Sequence, residues 1–159
     1  MMRATHASRA TKPRLPHRIT VATVLGMRLA RWIFLIAGVY GVLVIAPEYF
    51  MEKRYGEQYP PAINHPEFFY GFAGVTLAWQ ALFLAIARDP VRLRPVMPVA
   101  VLEKASFAIA APILFAQHRI PSVMLAGGAI DALLGVAFVV AYLRIPQQAE
   151  NPDRTDAGL

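Results

Sequence analysis

The stretch FFYGFAGVTLAWQALFLAIA, residues 68–87, decides the fold class of this chain. It carries no charged residue and one strongly polar side chain, Gln80. An α-helix rises about 1.5 Å per residue, so roughly 20 apolar residues cross a hydrocarbon core of about 30 Å. Each helix of a soluble bundle needs a polar stripe that faces water, and this stretch has none. It therefore predicts a transmembrane helix.

Three further stretches are also long and apolar, so the predicted spans are residues 29–50, 68–87, 96–115 and 123–143. The third span is the least regular, because it contains a Glu-Lys pair and Pro112, where we expect a kink or early unwinding. The composition agrees, since 57% of the residues are hydrophobic and only 16% are charged. We predict an all-α integral membrane four-helix bundle that occupies residues 19–145.

The basic residues are concentrated on one side of these spans. Seven Lys and Arg residues precede the first long apolar run, and Arg28 and Arg31 are the last of them. The loop RDPVRLRP between the second and third spans adds Arg88, Arg92 and Arg94. Because cytoplasmic loops are enriched in Lys and Arg, both termini are predicted to be cytoplasmic. We expect a multi-pass protein of the bacterial inner (cytoplasmic) membrane, with the lipid bilayer as a partner.

The two ends of the chain are predicted to be disordered tails, a basic one at residues 1–18 and a polar one at residues 146–159. Residues 19–28 are expected to form a short interfacial helix that leads into the first span. A secretory signal peptide fits poorly, because Arg28 interrupts its apolar core and a span follows directly. The acid-free leader also suits a mitochondrial transit peptide, so an organellar membrane stays open as an alternative.

Several classes of chemistry are excluded by composition and motif. The sequence has no cysteine, which rules out disulfide exchange, thiolate metal sites and cysteine nucleophiles. It has no nucleotide-binding glycine motif and no HExxH zinc motif. The isoelectric point near 10.1 follows from the arginines that set the topology, and no aromatic interleaving accompanies them. We predict neither a cofactor nor a nucleic-acid partner.

Asp131 is the one acid of the fourth span and lies near the bilayer centre, roughly 18 Å from the cytoplasmic end by helix rise. An isolated ionised carboxylate at that depth costs about 2.5 to 3.5 kcal/mol. Gly127 and Gly135 lie four residues to either side and share its helix face. Because small residues mark the faces on which membrane helices pack, Asp131 is predicted to point into the bundle.

Glu103 and Lys104 lie in the cytoplasmic third of the third span, at a depth of about 10 to 12 Å. Adjacent helical residues point about 100° apart, so we expect the two to have different partners. The long lysine side chain is expected to reach Asp131, and the shorter Glu103 to pair with Arg92 or Arg88 of the basic loop. Such charges either form fixed pairs that set helix register or serve a function, and the sequence leaves both open.

Gln80 joins Asp131, Lys104 and Glu103 as the fourth member of the predicted buried polar cluster. Thr76 lies one helical turn before it. Polar side chains inside membrane helices mostly hydrogen-bond a neighbouring helix, so we expect Gln80 to bond across a helix interface.

The outer loops carry His65 and Glu67 before the second span and His118 before the fourth. Histidines and carboxylates are potential zinc ligands, but their spacing matches no recognised motif, so no metal site is predicted. The prolines of YPP and HP instead predict a rigid extended loop, with Glu67 in the first helical turn, where its charge complements the helix dipole.

The entry HPEFFYGFAG to the second span, the turn RDPVRLRP and the start VLEKASF of the third span carry a family resemblance. Together with four short spans and a long first outer loop, they resemble small bacterial inner-membrane proteins of a broadly DoxX-like, four-helix type. The resemblance covers about residues 29–143. It implies a small integral membrane protein with an accessory role, and it transfers no functional residue.

Three functions are compatible with these features. The first is a non-enzymatic accessory or small-molecule- or lipid-binding subunit, as a homo-oligomer or with a membrane-complex partner. The second is a proton-coupled transporter subunit, and the third a membrane enzyme acting on a lipid or isoprenoid. A closed core with Lys104 on Asp131 would favour the first, whereas an open cavity beside an unpaired Asp131 would favour the others.

Overall fold

The computed structural model describes residues 21–146, and the predicted tails lie almost entirely outside them. The described residues form helices joined by turns and short loops, with no strand among them. Its five α-helices are α1 (Val21–Ile45), α2 (Glu52–Gln58), α3 (Pro66–Arg88), α4 (Met97–Ala116) and α5 (Ser122–Arg144). Short 3₁₀ turns at Ala46–Phe50 and Arg94–Val96 follow α1 and precede α4.

Four of these helices are long and apolar enough to cross a membrane, and each overlaps one of the four predicted spans. The first of them begins earlier than predicted, because α1 is one continuous helix from Val21 to Ile45. The expected separate interfacial helix over residues 19–28 is therefore wrong for its described part. Arg28 and Arg31 lie exposed on the surface of α1, so neither charge has to interrupt the helix.

Two expectations based on proline are also corrected. Pro112 does not unwind α4 early, because the helix continues to Ala116, so of the two expected effects only a kink stays a prediction. The first outer loop is not extended throughout, because α2 forms within it before the Pro60–Pro61 pair. Tyr70 donates a hydrogen bond of 2.8 Å to Glu52, which ties α2 to the start of α3. This tertiary contact stabilises a helix of only seven residues, which is too short to be stable in isolation.

The four long helices form two closely packed antiparallel pairs, α1 with α3 and α4 with α5. Helices α1 and α5 join the pairs, whereas α3 and α4 hardly contact each other. Each pair packs through a small residue. A Cβ at Gly38 would lie 2.8 Å from the Leu84 side chain, and a Cβ at Gly128 would lie 2.5 Å from the Ala111 methyl. Small residues let membrane helices approach closely.

The core is concentrated at the end of the bundle that holds the connection between α3 and α4, hereafter the basic end; the opposite end is the α2 end. Phe34, Phe83 and Phe138 are fully buried there. The rings of Phe34 and Phe138 stack with centroids 4.2 Å apart, and Phe83 meets Phe138 edge-on at 4.9 Å. These three rings, the phenylalanine plug, join α1, α3 and α5.

Replacing Phe34 by alanine is expected to lower the free energy of unfolding by about 3 kcal/mol, because it removes a stacked ring and leaves a cavity. Phe50→Ala is the matched control, since the Phe50 side chain is 92% exposed, and it should change stability by less than about 0.5 kcal/mol. The measurement is equilibrium unfolding in mixed micelles followed by circular dichroism. Equal stability of the two variants would contradict the central role of the phenylalanine plug.

Candidate functional site: a cavity between helix pairs that ends on a charge cluster

Lys104 and Asp131 form the predicted ion pair. The Lys104 ammonium lies 3.0 Å from Asp131 Oδ1, and the lysine side chain is only 8% exposed. The pair joins α4 to α5, whose close approach at Gly128 brings the two side chains within reach. The Gly127 and Gly135 face predicted that Asp131 points into the bundle, and its contact with Lys104 places it against α4.

Glu103 does not pair with Arg92 or Arg88, contrary to expectation. Its carboxylate lies 3.4 Å from the Lys104 ammonium, so both carboxylates share one cation. The prediction assumed that the two side chains point about 100° apart and cannot share a partner. The lysine side chain is long and flexible, however, so its ammonium bends back and contacts the carboxylate of Glu103 as well. Glu103 Oε2 is buried and has no hydrogen-bond partner among the described residues. A buried acceptor without a donor is costly.

The basic loop has other contacts within the described chain. The Arg94 guanidinium donates to the Ile145 carbonyl at 3.0 Å and lies 4.1 Å from the centre of the Tyr142 ring. The backbone N–H of Arg92 donates to Asp89 at 3.1 Å. Arg94 therefore fastens the loop to the end of α5, and the loop makes no ion pair with Glu103.

Gln80 is buried, as predicted, but it does not bond across a helix interface. Its amide nitrogen donates to the Thr76 carbonyl of its own helix at 3.0 Å. The rest of the amide lies against Gly41 of α1, where a Cβ would overlap with it. Gly41 is thus the residue that makes room for a polar side chain between α1 and α3.

A cavity of about 620 Å³ lies between the two helix pairs, and all four long helices line it. Its polar residues at one end are Gln80, Glu103, Lys104 and Asp131. The cavity arises because α3 and α4 do not pack against each other. Phe72 of α3 and Phe107 of α4 line it and are exposed, so they flank the gap between these two helices.

The phenylalanine plug lies beneath the charge cluster. The Lys104 ammonium is 5.5 Å from the centre of the Phe83 ring, within the range of a cation–π contact. Phe83 in turn packs against Phe34 and Phe138. The cavity therefore ends on the charge cluster, and packed aromatic rings separate it from the basic end.

Residues that the sequence reasoning did not select line the cavity at its α2 end. Glu48, Tyr55 and Phe69 meet there, and the Tyr55 hydroxyl donates to Glu48 at 3.1 Å. Burial raises the pKa of the Tyr55 phenol above its usual value, and the Glu48 carboxylate adds to the shift. Tyr55 therefore stays a neutral hydrogen-bond donor near neutral pH. The feature of the sequence that hinted at this group of residues was the recurrence of aromatic residues between α1 and α3.

The outer-loop histidines do not belong to the cavity lining. His65 Nδ1 lies 3.0 Å from Glu67, and both side chains are exposed. His118 follows α4 in a left-handed backbone conformation, with φ of 55°. Residues 21–146 contain no group of three or more His, Cys, Asp or Glu side chains arranged to hold a metal ion.

Reversing one charge of the Lys104–Asp131 pair is expected to destabilise the protein, because it places two like charges next to each other in a buried position. Lys104→Asp and Asp131→Lys should each lower the free energy of unfolding by about 3 kcal/mol. The swap that combines them places a new carboxylate beside Glu103, so all variants are compared in a Glu103→Gln background. Recovery of at least about half of the loss in the swap is expected. A swap no more stable than the single variants would show that the two residues do not depend on each other.

Comparisons with known proteins identify no relative: no family model, curated protein or solved structure matches the chain. The resemblance to DoxX-like proteins thus stays a prediction from the sequence.

Proposed function

We propose that this multi-pass membrane protein binds a small amphipathic molecule in the cavity between its two helix pairs. The observation that carries the proposal is the cavity itself, which is apolar along its walls and ends on a buried cluster of charges. Ligand sites are typically clefts of about 300 to 1,000 Å³ with apolar walls and a few polar groups that orient the ligand. The cavity of about 620 Å³ falls in that range.

The walls suit an apolar body. Phe69, Phe72 and Phe107 supply aromatic surface, and Leu134 and Val44 supply aliphatic surface. The gap between α3 and α4 faces the lipid if the four helices span a bilayer, so a membrane-dissolved molecule can enter sideways without crossing water. Entry from the bilayer favours a ligand that is itself soluble in lipid.

The floor suits a head group that donates hydrogen bonds. Glu103 and Asp131 together carry two carboxylates against the one ammonium of Lys104. The cluster therefore has one carboxylate more than it has ammonium groups. A hydroxyl or an amine on the ligand would be attracted by this excess of negative charge, whereas a carboxylate or phosphate would be repelled.

The role that fits best is a non-enzymatic accessory subunit in the bacterial inner membrane, with both termini in the cytoplasm and an affinity to DoxX-like proteins. The distribution of arginines supports this orientation, since Arg88, Arg92 and Arg94 share the basic end with Arg28 and Arg31. An accessory role also involves association, either with a second copy of the chain or with another membrane protein.

Proton-coupled transport is the second candidate. It is favoured by the cavity beside a cluster with one more acid than base, because a proton would neutralise the second carboxylate. The ion-paired Asp131 and the phenylalanine plug oppose it, because a transport path would have to open between Phe34, Phe83 and Phe138. Binding without transport therefore agrees better with the packing.

Filling the cavity is expected to abolish binding. Ala110 lines it, so Ala110→Phe should lower the occupancy of co-purifying small molecules by roughly tenfold or more, the equivalent of about 1.4 kcal/mol. Ala81→Phe is the matched control, because Ala81 is exposed on α3 and does not line the cavity. Native mass spectrometry of gently extracted protein reports the bound mass. No bound molecule in the unmodified protein, or equal occupancy in both variants, would contradict the proposal.

The orientation is testable separately. A reporter that is active only in the cytoplasm is expected to be active when fused after Leu159 and inactive when inserted between α2 and α3, for example after Asn64. The reverse pattern would overturn the proposed topology without affecting the cavity.

A further inference from the structure

A second cleft, distinct from the cavity, lies between α1 and α3 at the basic end. It has a volume of about 610 Å³. Helices α1 and α3 cross closely where Leu84 covers Gly38, and the cleft begins on the basic side of that crossing. Leu84 faces this cleft and Gln80 faces the cavity, so the two spaces lie on either side of one helix crossing.

Three guanidinium groups line the cleft, those of Arg28, Arg31 and Arg88. None of them forms an ion pair with an acid among residues 21–146. The nearest acid in sequence, Asp89, accepts a hydrogen bond from the Arg92 backbone instead. Like charges that line one cleft repel each other, and a bound anion would relieve that repulsion.

The remaining lining is apolar. Trp32 and Leu35 of α1 and Leu84 of α3 form it, and the Trp32 side chain is 62% exposed. Tryptophan is enriched at the boundary between lipid head groups and acyl chains. The cleft thus presents positive charge next to a tryptophan and an aliphatic surface, the order in which a phospholipid presents its phosphate, glycerol and acyl chain.

We propose that this cleft binds an anionic phospholipid of the surrounding bilayer. Its phosphate lies among Arg28, Arg31 and Arg88, and an acyl chain lies against Trp32 and Leu35. A basic pocket between membrane helices is a known setting for acidic lipid head groups. The apolar wall favours a lipid over a soluble phosphate, because a free anion would leave that wall unoccupied. The site is independent of the ligand proposed for the cavity.

Arginines that only set topology would not need to line a common cleft. Arg92 and Arg144 are exposed at the same end of the bundle and do not line it. They contribute to the overall positive charge but not to the proposed site. This difference supplies a control with the same change in net charge.

The test uses tryptophan fluorescence in vesicles. The full chain has two tryptophans, so Trp79→Phe leaves Trp32 as the only emitter. The protein is reconstituted in phosphatidylcholine vesicles that contain an equal fraction of brominated phosphatidylglycerol or brominated phosphatidylcholine, since bromine quenches only nearby tryptophan. Phosphatidylglycerol is expected to occupy the cleft on the order of tenfold more favourably than phosphatidylcholine, because only phosphatidylglycerol carries a net negative charge. Equal quenching by the two lipids would overturn the proposal.

The variants separate a specific site from general attraction. Arg28→Gln with Arg88→Gln is expected to remove most of the preference for phosphatidylglycerol, whereas Arg92→Gln with Arg144→Gln should retain it. Loss of the preference in both double variants would mean a diffuse surface effect and would contradict a site. The comparison of the two lipids in the Trp79→Phe protein keeps every arginine, so it does not depend on the folding of any arginine variant.

A competition arm distinguishes lipid from soluble phosphate. Inorganic phosphate is added to vesicles that contain phosphatidylglycerol, and sodium chloride of equal ionic strength serves as the screening control. The preference for phosphatidylglycerol should fall equally in both. A fall in phosphate alone would assign the cleft to a soluble anion and overturn its assignment to lipid.

Discussion

The sharing of the Lys104 ammonium between Glu103 and Asp131 is the constraint on which the interior of this bundle depends. A lysine that is almost fully buried in an apolar bundle needs carboxylates nearby, because burying an isolated charge is far costlier than burying a pair. The contact with Asp131 fixes α4 against α5, and the contact with Glu103 keeps the ammonium at the end of the cavity. One cation thus determines both a helix interface and the polar floor of the candidate site.

The cavity follows from how the four helices divide their contacts. Close packing is confined to two pairs, and small residues on one helix of each, Gly38 in α1 and Gly128 in α5, make it possible. Because α1 and α5 join the pairs on one side only, α3 and α4 are left apart. At the basic end the phenylalanine plug fills the space between the pairs, and toward the α2 end no comparable side chains do. The same topology therefore produces a densely packed basic end and a cavity toward the α2 end.

The sequence predicted the spans and the Lys104–Asp131 pair because both follow from simple costs: the length of an apolar helix and the price of a charge in hydrocarbon. It could not predict the partner of Glu103, because that depends on a lysine rotamer. The sequence could not predict the cavity either, because a space between helices depends on which helices, here α3 and α4, do not pack against each other. The sequence did not predict helix α2, because a tertiary hydrogen bond from Tyr70 stabilises it. The prolines that follow α2 also favoured an extended loop.

The crossing of α1 over α3 links the two candidate sites physically. Gly41 accommodates the Gln80 amide at the floor of the cavity, and one turn away Gly38 accommodates Leu84 at the edge of the basic cleft. Both glycines pack against the same turn of α3, and without a Cβ at either position the two helices approach closely there. This close contact separates the two spaces, and no residue lines both of them. One helix crossing therefore forms a boundary of each candidate site.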